Sequence, residues 1–203
     1  MQASFADQVV KVNIGCGLSG AAGWHNLDNS PTITLSRLPF GHKIFKTPVC
    51  PTDVRRHDVS KGLPFKTGTV KYIYSSHTFE HFTYEASLSL GAECFRTLEP
   101  GGVLRLVVPD LNLIIRDYLR DQDPMASHTF LQRLCLNRGL RDLLHPGANH
   151  AQMFDERSLC HLLRQAGFRN PQPSSFSKSL IPEIARIELA ERKSESLYVE
   201  AEK

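Results

Sequence analysis

Four groups of residues have types and spacings that could do chemistry. The first is the turn Asn13-Ile14-Gly15-Cys16-Gly17, where the apolar run Val10–Ile14 ends abruptly in glycines. Without a Cβ, a glycine lets the backbone approach a charged ligand closely and lets φ turn positive. The second is a pair of carboxylates, Asp28 and Asp58, each closing a short strand-like segment. The third is Ser75-Ser76-His77-Thr78-Phe79-Glu80-His81. On a helix, His77 and His81 share a face beside Glu80. Imidazoles exchange protons near neutral pH, and two of them with a carboxylate also make a donor set for a divalent metal. The fourth is the polar, loop-like stretch from His145 to His150, which offers two more imidazoles.

Gly15, Gly17 and Gly20 match the dinucleotide fingerprint G-x-G-x-x-G. That motif expects a full helix after the glycines and a carboxylate about 20 residues on. Here Asp28 follows Gly17 by only eleven positions. A four-turn helix needs about 14 residues, so a nicotinamide site is disfavoured. Cys16 reads as a small residue in a tight turn, since nothing nearby would lower its thiol pKa.

The elements that must carry these groups alternate between strand and helix. Strands are predicted at 10–15, 24–28, 54–59, 70–75 and 103–108, with two more near 172–177 and 196–201. Residues 30–53 hold Pro31, Pro39, Pro48 and Pro51 and predict an irregular excursion with at most a turn of helix around 34–38. Leu88, Ala92, Phe95 and Leu98 recur at helical spacing, and Pro100-Gly101-Gly102 stops that helix. Asp110 and Asp155 are placed as N-caps for helices striped by Leu111, Ile114, Ile115, Tyr118 and by Leu159, Leu162, Leu163. Residues 121–150 form a helical insertion after the fifth strand. Together with Leu180–Arg192, this insertion is predicted to wall the pocket in which a substrate is held, because loops above a rigid sheet concentrate binding residues.

At 203 residues and 41% hydrophobic, the chain fits a single domain with a sizeable core. Its 24 basic and 21 acidic residues are not segregated, which argues against nucleic acid or a membrane surface as partner. No apolar run reaches 18 residues and no charged-then-apolar leader precedes the first strand, so a soluble, unexported protein is predicted. Cys16, Cys50, Cys94, Cys135 and Cys160 are odd in number and unpaired in spacing, which favours reduced thiols in the cytoplasm over a disulfide frame or a zinc site.

The sequence resembles the class I S-adenosylmethionine (SAM) methyltransferases, in particular the type 11 group. Some members of that group read V-N-I-G-C-G…G-W-x-N-x-D where this chain has Val12–Gly17 and Gly23–Asp28. Leu63-Pro64-Phe65 matches the group's L-P-F, Ser76–His81 its S-H-x-x-E-H, and Leu98–Gly102 its L-x-P-G-G; Lys71 departs from an expected Asp. The resemblance implies an α/β fold: a Rossmann-like, seven-stranded mixed sheet, parallel with one antiparallel edge strand, and helices on both faces. It implies SAM as cofactor, held by Asn13, Gly15, Cys16, Gly17, Asp28, Asp58, Val59 and Ser75. Asp28 would face the ribose hydroxyls, Asp58 the adenine amine, the Val59 N–H a ring nitrogen, and Asn13 the methionine amine. All lie at or beside strand ends, where open parallel sheets bind ligands. The implied activity is methyl transfer to a small-molecule or sugar acceptor, on oxygen, with His77, His81 and His150 as the candidate catalytic residues.

The same stretch is similar to the E-x-x-E-H of metal-dependent O-methyltransferases, with His77 replacing the first Glu and His150 able to add a ligand. The favoured reading, however, has no metal, with Glu80-His81 buttressing a helix start. Other functional readings are a SAM-binding fold without catalysis that serves as an interaction module, and, third, an NAD-dependent oxidoreductase.

Overall fold

A computed structural model describes residues 9–17, 20–30, 33–34, 53–134 and 149–203. Seven strands form one sheet: β1 (Lys11–Ile14), β2 (His25–Asp28), β3 (Val54–Arg56), β4 (Val70–Ser76), β5 (Leu98–Pro109), β6 (Gln172–Ser174) and β7 (Ser196–Glu202). Their order is β3-β2-β1-β4-β5-β7-β6. The first five run parallel to one another, whereas β7 runs antiparallel to both β5 and β6. This is the mixed, Rossmann-like sheet that the sequence predicts. The chain lays β2 and β3 on one side of β1 and then returns to place β4 on the other, so strand order reverses between β1 and β4.

Four helices are described: α1 (Tyr84–Thr97), α2 (Leu111–Arg120), α3 (Ala126–Arg133) and α4 (Glu156–Gln165). The caps expected from sequence are made. Asp110 accepts from the Asn112 and Leu113 amides, and Asp155 forms a reciprocal capping box with Ser158. β5 begins five residues earlier than predicted, because Leu98 pairs with Val70 across a register shift. Only the α3 portion and the last residues of the 121–150 insertion are described. His145 and most of the expected turn at 34–38 lie outside the described residues.

Side chains on a strand alternate between faces, and here the alternation divides the core in two. Val12, Ile14, Leu27, Ile73, Leu104, Leu106, Val108, Leu197 and Val199 pack against Leu90 and Cys94 of α1 and Leu159, Leu162 and Leu163 of α4. On the opposite face Tyr74, Val103, Val107 and Tyr198 meet Ile181, Ile184 and Ile187. Among the described residues this second face is covered by the 176–192 stretch, whose only helical pieces are the 3-10 turns Ile184–Arg186 and Ala190–Arg192. No described helix is long and apolar enough to cross a membrane.

A buried cation fastens that cover. Arg105, fully buried in the middle of apolar β5, donates from Nε to Glu188 at 2.6 Å and from Nη1 to Glu200 at 2.9 Å. It also donates to the Lys178 and Ser175 carbonyls, and its guanidinium sits 5.1 Å from the Tyr198 ring centroid. Glu188 in turn accepts from the Ser177 amide, and Glu200 from the Leu180 amide and the Ser179 hydroxyl. Removing one partner of such a set leaves uncompensated buried charge and costs about 3–5 kcal/mol. Arg105→Met should therefore lower unfolding free energy in urea by that amount, and adding Glu188→Leu and Glu200→Leu should recover most of it. A loss under 1 kcal/mol in the single variant would contradict this role.

Candidate active site

The carboxyl ends of β1, β2 and β4 open on a cleft of about 660 Å³. Asn13, Gly15, Cys16, Gly17, Asp28, Asp58 and Val59 all line it, as do His77 and His81. Seven of the eight predicted cofactor residues are thus brought together at the strand-order reversal.

Ser75 is the exception and corrects the sequence reading. Alternation puts residues 72, 74 and 76 on the cleft face and residues 73 and 75 against the helices. Tyr74 and Ser76 accordingly line the cleft, while Ser75 is buried with no hydrogen bond to its hydroxyl among the described residues.

The glycine turn is built by close approach. Gly15 has φ +68° and Gly17 φ +56°. A Cβ on Gly15 would lie 1.9 Å from Thr78 Oγ1, whereas one on Gly17 would meet nothing within 4 Å. The amides expected to face a ligand are instead taken up by β2: Gly15 and Cys16 donate to the Leu27 carbonyl, and Gly17 donates to Asp28 Oδ2 at 2.7 Å. Asp28 Oδ1 also accepts from the Ser30 amide at 2.6 Å. A carboxylate has about four acceptor positions, so among the described residues Asp28 keeps one open on each oxygen. Cys16 is buried and clusters with Ile33 and Val54, in keeping with a small turn residue.

Asn26, matched in the G-W-x-N-x-D pattern but given no role by the sequence reading, holds this turn from behind. Fully buried, it accepts from Asn13 Nδ2 at 3.1 Å and from the Ala21 amide at 3.0 Å, and it donates to Asp53 at 2.9 Å. With its amide nitrogen fixed on Asn26, Asn13 is left with its oxygen for the cleft. Asp58 caps a 3-10 turn, accepting from the amide and hydroxyl of Ser60. The hydroxyl contact in particular holds its carboxyl below the usual range.

The histidine end of the cleft is more crowded. β4 exits through His77, whose φ of +50° is uncommon for a residue with a side chain. Its Nε2 bonds Ser196 Oγ at 2.9 Å. Burial lowers its pKa to about 3, assisted by the charge of Arg192. His81 Nδ1 engages the Asn149 carbonyl at 3.2 Å, and its Nε2 has no hydrogen-bond partner among the described residues. His150 does not itself line the cleft, but its ring lies 5.2 Å from that of His81, and burial lowers its pKa to about 4. Glu80 is fully buried beside them, and burial raises its carboxyl to about 7. Its Oε1 is 3.5 Å from His77 Nδ1, an ion-pair distance without hydrogen-bond geometry. Neither carboxyl oxygen makes a hydrogen bond among the described residues. From the predicted wall, Ile187, Leu189 and Arg192 reach the cleft. None of the three was singled out in sequence, because loop residues carry no periodicity to mark them.

This sheet order, with a ligand cleft over the β1 glycine turn, defines the class I SAM-dependent methyltransferase architecture. Residues 9–172 match the model of the methyltransferase domain family, and the chain belongs to that family. Among solved structures it is similar to an S-adenosylmethionine-dependent methyltransferase from Mesorhizobium loti, at 19% identity and TM-score 0.54, covering 99% of this chain and 94% of that one. It is also similar to a possible exported protein from Bordetella parapertussis (18%, TM-score 0.55) and to PigF in complex with SAH (14%, TM-score 0.55). Those two matches cover 97% and 99% of this chain, which spans 62% and 52% of the two longer proteins. No curated protein matches the sequence.

The Gly15–Thr78 contact generates a direct test. Alanine at position 15 incurs left-handed strain of about 1–2 kcal/mol and meets Thr78 as well. Gly15→Ala should destabilise the fold by more than that strain alone, and Thr78→Gly in the same chain should recover the excess. Strict additivity of the two substitutions in denaturant melts would show that they do not touch.

Proposed function

We propose that this chain transfers the methyl group of SAM to an oxygen of a small-molecule acceptor. The observation that carries this reading is the convergence of Asn13, Gly17, Asp28, Asp58 and Val59 on one cleft at the β1–β4 reversal. The residues present suit the donor. Asp28 has an open acceptor position on each oxygen for a pair of ribose hydroxyls. Asn13 turns an amide oxygen toward the cleft for an ammonium group. Asp58 and Val59 offer a carboxylate and a backbone edge for adenine. Gly15 and Gly17 keep side chains out of the way, and Cys16 packs the turn from beneath. Bound there, SAM supplies an electrophilic methyl group on a sulfonium.

What remains for the protein is alignment of the acceptor and handling of its proton. The acceptor's oxygen docks at the end formed by His77 and His81, with His150 packed against His81; His81 Nε2 has no hydrogen-bond partner among the described residues and can accept its hydrogen bond. Ile187 and Leu189 supply apolar cover against water. A cleft of about 660 Å³ falls within the range of small-molecule sites, roughly 300–1,000 Å³. Within that range a sugar hydroxyl is the acceptor class that the sequence resemblance favours. A cytoplasmic location, suggested by the odd cysteine count, belongs to the same reading.

Two measurements test this. Asp28→Ala should weaken S-adenosylhomocysteine binding in calorimetry by about 1–3 kcal/mol, the loss for buried polar contacts left unmade; unchanged affinity would remove Asp28 from the site. Alanine at His77, His81 or His150 should leave that affinity within about threefold and lower turnover of a sugar-hydroxyl acceptor by about a hundredfold or more. If S-adenosylhomocysteine binds but no hydroxyl acceptor is methylated, the non-catalytic, interaction-module reading replaces this one.

A further inference from the structure

We propose that Glu80, His81 and His150 form a binding site for a single first-row divalent metal ion, of the zinc, cobalt or iron type, at the acceptor end of the cleft. One donor atom from each residue lies within 4.8 Å of the others. Around a bound ion with ligand bonds of about 2.1 Å, donors sit about 3.4 Å apart, so modest rotation of the two rings closes the set.

Each ring is already held by one nitrogen. His81 Nδ1 is on the Asn149 carbonyl and His150 Nδ1 is 3.3 Å from Met153 Sδ. Among the described residues neither Nε2 has a hydrogen-bond partner, which leaves both for a ligand role, and engagement of the second ring nitrogen is how metal-binding histidines are oriented. The loop that delivers His150 is fastened to Glu80 itself, whose carbonyl accepts from the Ala151 and Gln152 amides at 2.8 and 3.2 Å. Gln152 further donates to Ser87 Oγ at 2.7 Å. The three donors therefore sit on a braced frame rather than on independent loops.

A second observation points to a cation. Glu80 is fully buried and neither oxygen has a hydrogen-bond partner among the described residues. A buried carboxyl in that condition is costly. Among the described residues Arg192 lines the cleft but forms no ion pair with Glu80, and His77 stands at 3.5 Å without hydrogen-bond geometry. A divalent ion on the His81 and His150 side would supply the missing charge. Two imidazoles with one carboxylate favour zinc, cobalt or iron over magnesium or calcium, which prefer oxygen donors. In that position the ion would act as a Lewis acid and lower the pKa of a bound hydroxyl, taking over from the open His81 Nε2. The sequence reading that Glu80-His81 only buttresses a helix start leaves both carboxyl oxygens unaccounted for.

The proposal uses the same cleft as the methyltransferase reading, but its test needs neither SAM nor an acceptor, so either can fail alone. Untagged, chelator-stripped protein is titrated with Zn²⁺, and with Co²⁺ for its visible absorption. The expected result is saturable 1:1 binding that raises the melting temperature and is not displaced by a hundredfold excess of Mg²⁺. Glu80→Gln, His81→Ala and His150→Ala should each weaken it at least tenfold, while His161→Ala, outside the site, leaves it unchanged. Glu80→Gln also guards against misfolding, since without metal it should melt no lower than the parent. Absence of saturable binding, wild-type affinity in Glu80→Gln, or equal competition by Mg²⁺ would overturn the proposal.

Discussion

Everything in the site depends on how closely the chain leaving β1 can approach the chain leaving β4. Strand order reverses between these two strands, and the crevice that results is where a ligand can reach several strand ends at once. Gly15 occupies the point of closest approach, with Thr78 Oγ1 standing where a Cβ would be. Thr78 in turn bonds back to the Ile14 and Ser76 carbonyls. Its neighbour His77 takes a left-handed backbone as β4 ends and fixes its amide on the Val107 carbonyl at 2.8 Å. Backbone strain of this kind costs on the order of 1–3 kcal/mol and persists only where the surroundings enforce it. Here they do so next to the residues most suited to chemistry.

Two buried polar hubs hold that geometry from the second face of the sheet. Asn26 ties the Ala21–Trp24 turn, Asn13 and Asp53 to a single amide. The glycine turn, β2 and the start of β3 therefore move together. Arg105 does the same for the cover, joining β5, β7 and the 174–188 stretch through Glu188, Glu200 and three further oxygens. Ile187, Leu189 and Arg192 reach the cleft from the far end of that cover. The shape of the acceptor wall is thus coupled through Arg105 to the centre of the sheet.

Much of this was legible in the sequence, for reasons that are local. Strands ending in Gly15, Asp28 and Asp58 announce themselves by apolar runs cut off by a glycine or a carboxylate, and Asp110 and Asp155 cap the helices they precede. Ser75 misled because a side chain's face depends on a strand's exact register, and a slip of one residue exchanges cleft for core. The hubs were hidden for a different reason. Asn26 meets Asp53 across 27 residues, and Arg105 meets Glu188 and Glu200 across 83 and 95. No periodicity encodes such partners, although an arginine inside Val103–Val108 was a visible anomaly. His150 joins His81 only because the Asn149–Gln152 backbone docks on residues 80 and 81, a contact that spacing alone does not reveal.

The cleft accordingly has two chemically distinct ends. Around Asn13, Asp28 and Asp58 it is lined by amide and carboxylate side chains. Around His77 and His81 it presents imidazoles, with the desolvated Glu80 carboxyl fully buried beside them. That division is what a reaction between a nucleoside-bearing donor and a separate acceptor requires. The most direct test is a crystal structure of the chain grown with S-adenosylhomocysteine. The ribose hydroxyls should meet Asp28, the adenine should lie beside Asp58 and Val59, and the sulfur should point toward His77 and His81. S-adenosylhomocysteine bound elsewhere, or with its sulfur turned away from the histidines, would contradict the account.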